Sequence, residues 1–231
     1  MKIINNKLNL VEVILCFILF LLVFVYLSIK VINAGGDPLY IDTVVRDLVY
    51  DNRGEKGGLI YWFFIILSEF GDYRVIALVF VLVLIFTKCD NRALTFIIMI
   101  ITSYLLNVGF KSMFARPRPS ETYFWMDEKS KSFPSAHATI ATTMWLYVCY
   151  FVFVSKNKTW GKALTTIFVV IIILGVMASR IVLGVHYFSD VIAGFSLGVM
   201  SFIVLLLPYL FMKKYNILNN GISFRKSRNE A

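Results

Sequence analysis

The length of its apolar runs constrains this chain more than any other feature. Six blocks, near residues 11–30, 73–87, 93–110, 137–154, 163–179 and 190–212, are apolar almost throughout. A helix that crosses a bilayer needs about 20 mainly apolar residues, within a range of about 17–25. Composition agrees with that reading. The chain is 59% apolar and 16% charged, where soluble domains average about 45–50% and about 25%. A water-soluble globule, a disordered chain and a disulfide scaffold are excluded. The net charge of +9 would suit a nucleic-acid binder, but the basic residues lie between apolar blocks, as they do in short membrane loops. No nucleic-acid partner is expected. The sequence therefore predicts an all-α fold, a polytopic membrane helical bundle of about six transmembrane helices.

Two blocks are short for an untilted span, so their ends should extend into the loops. Leu59–Phe70 (LIYWFFIILSEF) is apolar but short, and Gly71-Asp72 breaks it. It is expected to form an interfacial or re-entrant helix after the first span, or else the leading turns of the second. Ile41–Tyr50 mixes charged and apolar residues and is expected to lie on the membrane surface. The first apolar run is longer than the roughly 7–15 residues of a signal-peptide core and is taken as an uncleaved span. Cys16, Cys89 and Cys149 show neither metal-ligand spacing nor a disulfide framework.

Lys and Arg orient the spans. With the N-terminus in the cytoplasm, the inner segments 1–10, 88–92, 155–162 and 213–231 carry 12 Lys/Arg in 42 residues. The outer segments 31–72, 111–136 and 180–189 carry 9 in 78. An excess of Lys/Arg marks cytoplasmic loops, so both termini are expected inside. The loops after the third and fifth spans then face outward.

Those two outward loops hold the unusual residues. The only histidines, His137 and His186, both fall there at span–loop junctions. Polar groups are costly at a membrane edge and tend to be functional. Four residues separate His186 from Asp190, the spacing that puts two side chains on one helix face. Asp190 could then fix the tautomer of His186 and leave its other nitrogen nucleophilic. An ion pair on the helix surface would look the same in sequence. Pro134-Ser135-Ala136-His137 opens the fourth span, with Ser135 as a favoured N-cap. The free N–H groups of that first turn suit an anion. Lys111, Arg118 and Arg180 add positive charge from the same side, and Arg binds phosphate oxygens bidentately. Lys129 and Lys131 read as headgroup cations. Together these groups describe a phosphate pocket with a nucleophile and an acid, a set that suits phosphoryl transfer.

The pattern Lys111-x6-Arg118-Pro119, Pro134-Ser135-Ala136-His137 and Ser179-Arg180-x5-His186-x3-Asp190 resembles the three signature motifs of the type 2 phosphatidic acid phosphatase (PAP2) family. They stand in the family's order and spacing, over roughly residues 73–212. The resemblance implies that His186 is the nucleophile and forms a phosphohistidine, that Asp190 orients it and that His137 is the general acid. It further implies that Lys111, Arg118, Ser135, Ala136 and Arg180 hold the phosphoryl group, with no metal and no cofactor. Ala136 stands where the family motif usually has glycine. Arg116-Pro117 is a second Arg-Pro step out of register with the motif, so Arg116 is taken as an auxiliary or headgroup cation.

Three other readings compete. His137, His186 and Asp190 could form a metal-binding facial triad, although nearby cations would repel a divalent ion. Intramembrane charge can also mark an anion transporter, but here the charge clusters at one membrane edge. A phosphotransferase or a vanadate-binding haloperoxidase would share the pocket. The sequence thus predicts a metal-independent membrane phosphatase acting on a lipid phosphate or diphosphate, such as undecaprenyl diphosphate, phosphatidylglycerophosphate or phosphatidate. Its partners are the bilayer and the lipid substrate, and its location a bacterial cytoplasmic membrane with the site facing outward. The expected organisation is an N-terminal span and outer-face segment (1–72), a catalytic membrane domain (73–212) and a basic cytoplasmic tail (213–231). Gly194-x3-Gly198 is expected to be a helix-packing face within the bundle.

Overall fold

The computed structural model describes residues 7–88, 90–154 and 159–214. Cys89 and the tail beyond residue 214 lie outside these described residues. Eight α-helices follow in order: α1 (Lys7–Asn33), α2 (Tyr40–Tyr50), α3 (Leu59–Glu69), α4 (Tyr73–Thr87), α5 (Asn91–Phe114), α6 (Ala136–Val154), α7 (Thr159–Val182) and α8 (Phe188–Lys214). A single 3-10 turn, Glu121–Tyr123, interrupts the long α5–α6 loop. No strand occurs among the described residues.

Five of these helices are long and apolar enough to cross a membrane on their own. Helix α4, with 15 residues, is too short to do so. Joined to α3 across a break bent by 44°, it makes a sixth candidate span. A pair bent this way is either a broken span or a re-entrant loop, which are the two alternatives for the apolar Leu59–Phe70 segment. Gly71 sits at the break. A Cβ there would lie 3.0 Å from Val176 Cγ1 and 3.3 Å from the His137 carbonyl. The break therefore packs directly against the start of α6.

Helix α6 is the centre of the bundle and packs against α5, α7 and α8. Its residues 138–145 are all buried. Several of them are polar, and each buried polar group must find a partner inside. Thr143 Oγ1 lies 3.1 Å from Ser103 Oγ and 3.1 Å from the Gly198 carbonyl. Asn107 on α5 donates to Thr139 Oγ1 at 3.1 Å. Gly194 and Gly198 let α8 approach this face. A Cβ would stand 2.5 Å from the Ser135 carbonyl at the first and 2.6 Å from the Thr139 carbonyl at the second. The spacing is a packing face within the bundle, as the sequence suggested. Helix α1 lies outermost against α8, held by Phe20 on Phe195 and by Phe24 on Phe110.

Helix α2 has one exposed side and one inward-facing acid. Leu48 and Tyr40 are exposed, but Asp42 is 1% exposed and points into the protein.

Candidate active site

The ends of four helices meet at one end of the bundle: the last turns of α5 and α7 and the first turns of α6 and α8. Two left-handed residues turn the chain there. Ala115 (φ +46°) ends α5 and swings the following residue inward. Gly184 (φ +80°) follows α7, and a Cβ on it would fall 2.1 Å from the Tyr123 carbonyl. The α5–α6 loop is tied to the α7–α8 loop by Trp125 N–H donating to the Leu183 carbonyl at 2.9 Å. Ser135 N–H donates to the Asp190 carbonyl at 3.0 Å. These contacts bring all three sequence motifs together.

His186 is buried and lies two residues before α8 begins, so it does not share a helix face with Asp190 as the spacing suggested. Asp190 is instead the third residue of α8, and its Oδ2 reaches back to accept from Tyr187 N–H at 3.0 Å. A first-turn carboxylate that accepts a preceding N–H is a familiar helix start, and it places Oδ2 3.4 Å from His186 Nδ1. Ser132 Oγ donates to the same Oδ2 and lies 3.4 Å from Nδ1. On the other side of the ring, Arg118 Nη1 lies 3.2 Å from Nε2. A guanidinium has no acceptor, so Nε2 carries the lone pair and Nδ1 the proton. This is the tautomer a nitrogen nucleophile requires. Burial, and then Arg118, Lys111 and Arg180, hold the His186 pKa well below the ordinary histidine value. The ring is neutral at physiological pH.

Shared acceptors link the three cations. The Lys131 carbonyl accepts from Lys111 Nζ and, at 3.4 Å, from Arg118 Nη2. Glu128 stands 3.4 Å from Arg118 and 3.5 Å from Arg180. Arg118 also donates to the Ser130 and Val185 carbonyls, both at 2.6 Å. Arg180 is fully buried, and its Nη1 donates to Ser68 Oγ at 2.7 Å. Its Nε and Nη2 have no hydrogen-bond partner. Nη2 has only the Glu128 carboxylate beside it, at 3.5 Å, and donors left without a hydrogen bond on a buried guanidinium are costly; a bound anion would satisfy both. Lys129 makes no side-chain hydrogen bond or ion pair with this cluster among the described residues.

Ser135 precedes α6 as expected, but its hydroxyl does not cap the helix. Its Oγ is buried and without a partner, so it is a third free donor at the site. The N–H groups of Ala136 and His137 begin α6 and have no carbonyl one turn back to accept them. Both residues are half-buried, and neither ring nitrogen of His137 is hydrogen-bonded among the described residues. The arrangement concentrates free donors and positive charge around one lone pair. Among the described residues no three His, Cys, Asp or Glu side chains are placed to hold a metal ion.

Arg116 decides between the two alternatives that the sequence left for it. It is not a headgroup cation: it is fully buried. Its Nη1 donates to Asp190 Oδ1 at 2.6 Å and to Ser189 Oγ at 2.8 Å. Its Nη2 donates to Asp42 Oδ2 at 2.8 Å and to the Asp37 carbonyl at 3.0 Å, and its Nε to the Gly36 carbonyl at 3.2 Å. The guanidinium also stacks 4.3 Å from the Tyr187 ring centroid. Asp190 and Asp42 together outweigh the effect of burial and hold its pKa above the usual arginine value. Sequence reasoning missed Asp42, Ser68, Glu128 and Ser132 altogether. The one sequence signal for Asp42 was an acid in the first turn of a helix of mixed polarity; for Ser132 it was proximity to the Pro134–His137 motif.

The family model described as "PAP2 superfamily" matches residues 92–214, more than half of the chain. Phosphatidylglycerophosphatase B of Bacillus subtilis is 38% identical over 111 residues, 44% of this chain and 50% of that protein, so the match spans half the relative's length. Lipid A 4'-phosphatase of Porphyromonas gingivalis is 28% identical over 173 residues, 69% of this chain and 70% of that one. Two crystal structures share the fold. The transmembrane PAP2-type phosphatidylglycerolphosphate phosphatase from Bacillus subtilis aligns with a TM-score of 0.66 at 23% identity, covering 90% of this chain and 98% of its own. Aquifex aeolicus LpxE aligns with a TM-score of 0.59 at 22% identity, over 73% and 96%.

Proposed function

The chain belongs to the PAP2 superfamily, and we propose that it is a membrane phosphatase that removes phosphate from a lipid phosphate or diphosphate through a phosphohistidine. One observation carries this reading. The lone pair of His186 Nε2 is presented to a cluster of Arg118, Lys111 and Arg180, beside donors on Arg180 and Ser135 that have no hydrogen-bond partner.

The chemistry follows from those groups. The substrate's phosphoryl oxygens take the free donors of Arg180, the Ser135 hydroxyl and the first N–H groups of α6, with Lys111 and Arg118 offsetting charge. Nε2 attacks phosphorus and forms a P–N bond as the P–O bond to the lipid breaks. His137, held as the imidazolium by the negative charge of the bound phosphoryl group, gives its proton to the departing oxygen. The ring of His186 is then cationic, and Asp190 holds its Nδ1 proton. Water next attacks phosphorus, His137 takes its proton, the P–N bond breaks and phosphate leaves. The roles given to Lys111, Arg118, Ser135, Ala136, His137, Arg180, His186 and Asp190 are proposals that this reading joins together.

Isoprenoid diphosphates, phosphatidylglycerophosphate and phosphatidate are the substrates that fit a headgroup-level pocket in a bundle of spans. The Lys/Arg bias favours the outer face of a bacterial cytoplasmic membrane, with both termini inside. Residues 73–212 carry the proposed catalytic groups, and 1–72 a span with outer-face support. Phosphate release from a panel of these lipids by the purified protein tests the reading. Release from one or more, absent in His186→Ala, is expected.

A further inference from the structure

Arg116 is fully buried, and every one of its donors is engaged. A guanidinium offers five N–H groups, and those of Arg116 go to Gly36, Asp37, Asp42, Ser189 and Asp190. Arg118 is as fully engaged, but one of its donors lies on His186 Nε2, whereas those of Arg116 end on Asp190, Ser189 and the α1–α2 segment. Asp42 is just as fully used. Its Oδ1 accepts from Ser189 N–H at 2.8 Å, and its Oδ2 from Ser189 Oγ at 2.8 Å, Leu39 N–H at 3.0 Å and Arg116. Beyond Arg116 lies Asp190, whose other oxygen faces His186. The α1–α2 turn closes over the pair. Gly36 (φ +93°) carries one of the accepting carbonyls, and a Cβ on it would meet Pro117 Cδ at 2.9 Å.

We propose that Arg116 and Asp42 are positioning residues for phosphoryl transfer, forming a buried Asp42–Arg116–Asp190 relay that anchors Asp190 to helix α2 and fixes the oxygen it presents to His186. This rests on the reading of His186 as the nucleophile. A lone structural arginine needs one carboxylate, and this one bridges two. The three charges sum to a single negative charge, which offsets the positive charge on His186 when its phosphohistidine forms. Without Asp42, Arg116 would neutralise Asp190 and leave nothing to offset the ring. Without Arg116, two buried carboxylates would face each other across Ser189, and buried like charges are costly. Helix α2 lies nearly 150 residues from Asp190 in sequence, so the relay makes the segment before the second span part of the catalytic machinery.

The test compares Asp42→Asn, Arg116→Lys, Ser189→Ala and the double variant Asp42→Asn/Arg116→Gln with wild type. Phosphate release is followed on phosphatidate and on an isoprenoid diphosphate in detergent micelles, and folding by thermal unfolding. The other charged groups facing His186 are Lys111 from α5, Arg118 and Glu128 from the loop, His137 from α6, Arg180 from α7 and Asp190 from α8, with Tyr187 beside Arg116. All are kept in every variant. Asp42→Asn should lower kcat about 10- to 100-fold, as expected for loss of one charge-assisted hydrogen bond, with KM little changed. Removing its negative charge should also move the acid limb of kcat/KM to lower pH. Adding Arg116→Gln restores the net charge and should bring the limb back, a non-additive response that a merely structural contact would not give. Arg116→Lys should lower kcat without moving the limb. Wild-type kcat with an unmoved limb in folded Asp42→Asn overturns the proposal. Where that variant does not fold, wild-type kcat in Ser189→Ala, which removes only the hydroxyl between Arg116 and Asp42, overturns it. His186→Ala is assayed alongside. If it turns over normally, the nucleophile reading fails; if it is inactive while the relay variants are normal, the relay alone fails.

Discussion

Arg118 Nη1 lies 3.2 Å from His186 Nε2, so the cation that fixes the tautomer also covers the lone pair that must attack. A substrate phosphoryl group has to take over this donor as phosphorus approaches Nε2. The guanidinium reaches it while its Nε and Nη2 hold the Ser130 carbonyl and hydroxyl, a fork that lysine cannot reproduce. Arg118→Lys is expected to lose about 100-fold or more in kcat/KM, the scale of losing one donor to developing charge. Arg180→Lys is expected to do the same. Lys129→Ala should stay near wild type, and so should Lys131→Ala, since the site uses only the Lys131 carbonyl. Steady-state phosphate release measures all four.

Acidity should affect turnover late. Burial, then Arg118, Lys111 and Arg180, disfavour the charged form of His186. The neutral ring is the nucleophile, so activity persists as pH falls past about 6.5, the usual histidine value, and drops only at lower pH. A pH profile of kcat/KM whose acid limb lies at or above that value would contradict the electrostatic picture.

Gly184 is expected to be irreplaceable for geometric reasons. Its φ of +80° favours glycine, and a Cβ would collide with the Tyr123 carbonyl at 2.1 Å. Gly184→Ala must open the contact between the α5–α6 loop and the His186 loop. Thermal unfolding in detergent should show a lowered midpoint, and phosphate release should fall below a tenth of wild type, the scale of roughly 1.4 kcal/mol of lost positioning.

The sequence revealed those parts of the molecule that depend on local spacing. Gly194 and Gly198 face α6 because four residues make one helical turn, and the apolar runs became spans because lipid demands that length. The His186–Asp190 pairing was legible too, though for a different reason than helix periodicity: the carboxylate reaches back from the third residue of α8. Arg116 was not legible. Ala115 adopts a left-handed conformation that turns the next side chain inward, and nothing in an Arg-Pro-Arg-Pro run says which arginine turns. Asp42 was hidden by sequence separation. Ser135 was read as a cap from its position, but its hydroxyl is left free. The 73–87 block read as a span by itself, but its helix α4 has only 15 residues, because Gly71-Asp72 divides one apolar stretch into two helices neither of which is long enough to span.

Topology is open to direct labelling. In a variant cleared of Cys16, Cys89 and Cys149, Lys129→Cys should react with an impermeant thiol reagent in intact cells. Lys162→Cys should react only after lysis. The reverse pattern would turn the catalytic loops to the cytoplasm and remove the outward-facing part of the account.

The most direct test of the central claim is trapping of the phosphoenzyme. Purified protein is mixed with a phosphate-labelled lipid from the panel and quenched in alkali, where phosphohistidine survives, and phosphate release is measured in parallel. The account predicts label on the wild-type protein, no label on His186→Ala, and no phosphate release by that variant. Near wild-type release by folded His186→Ala would contradict it.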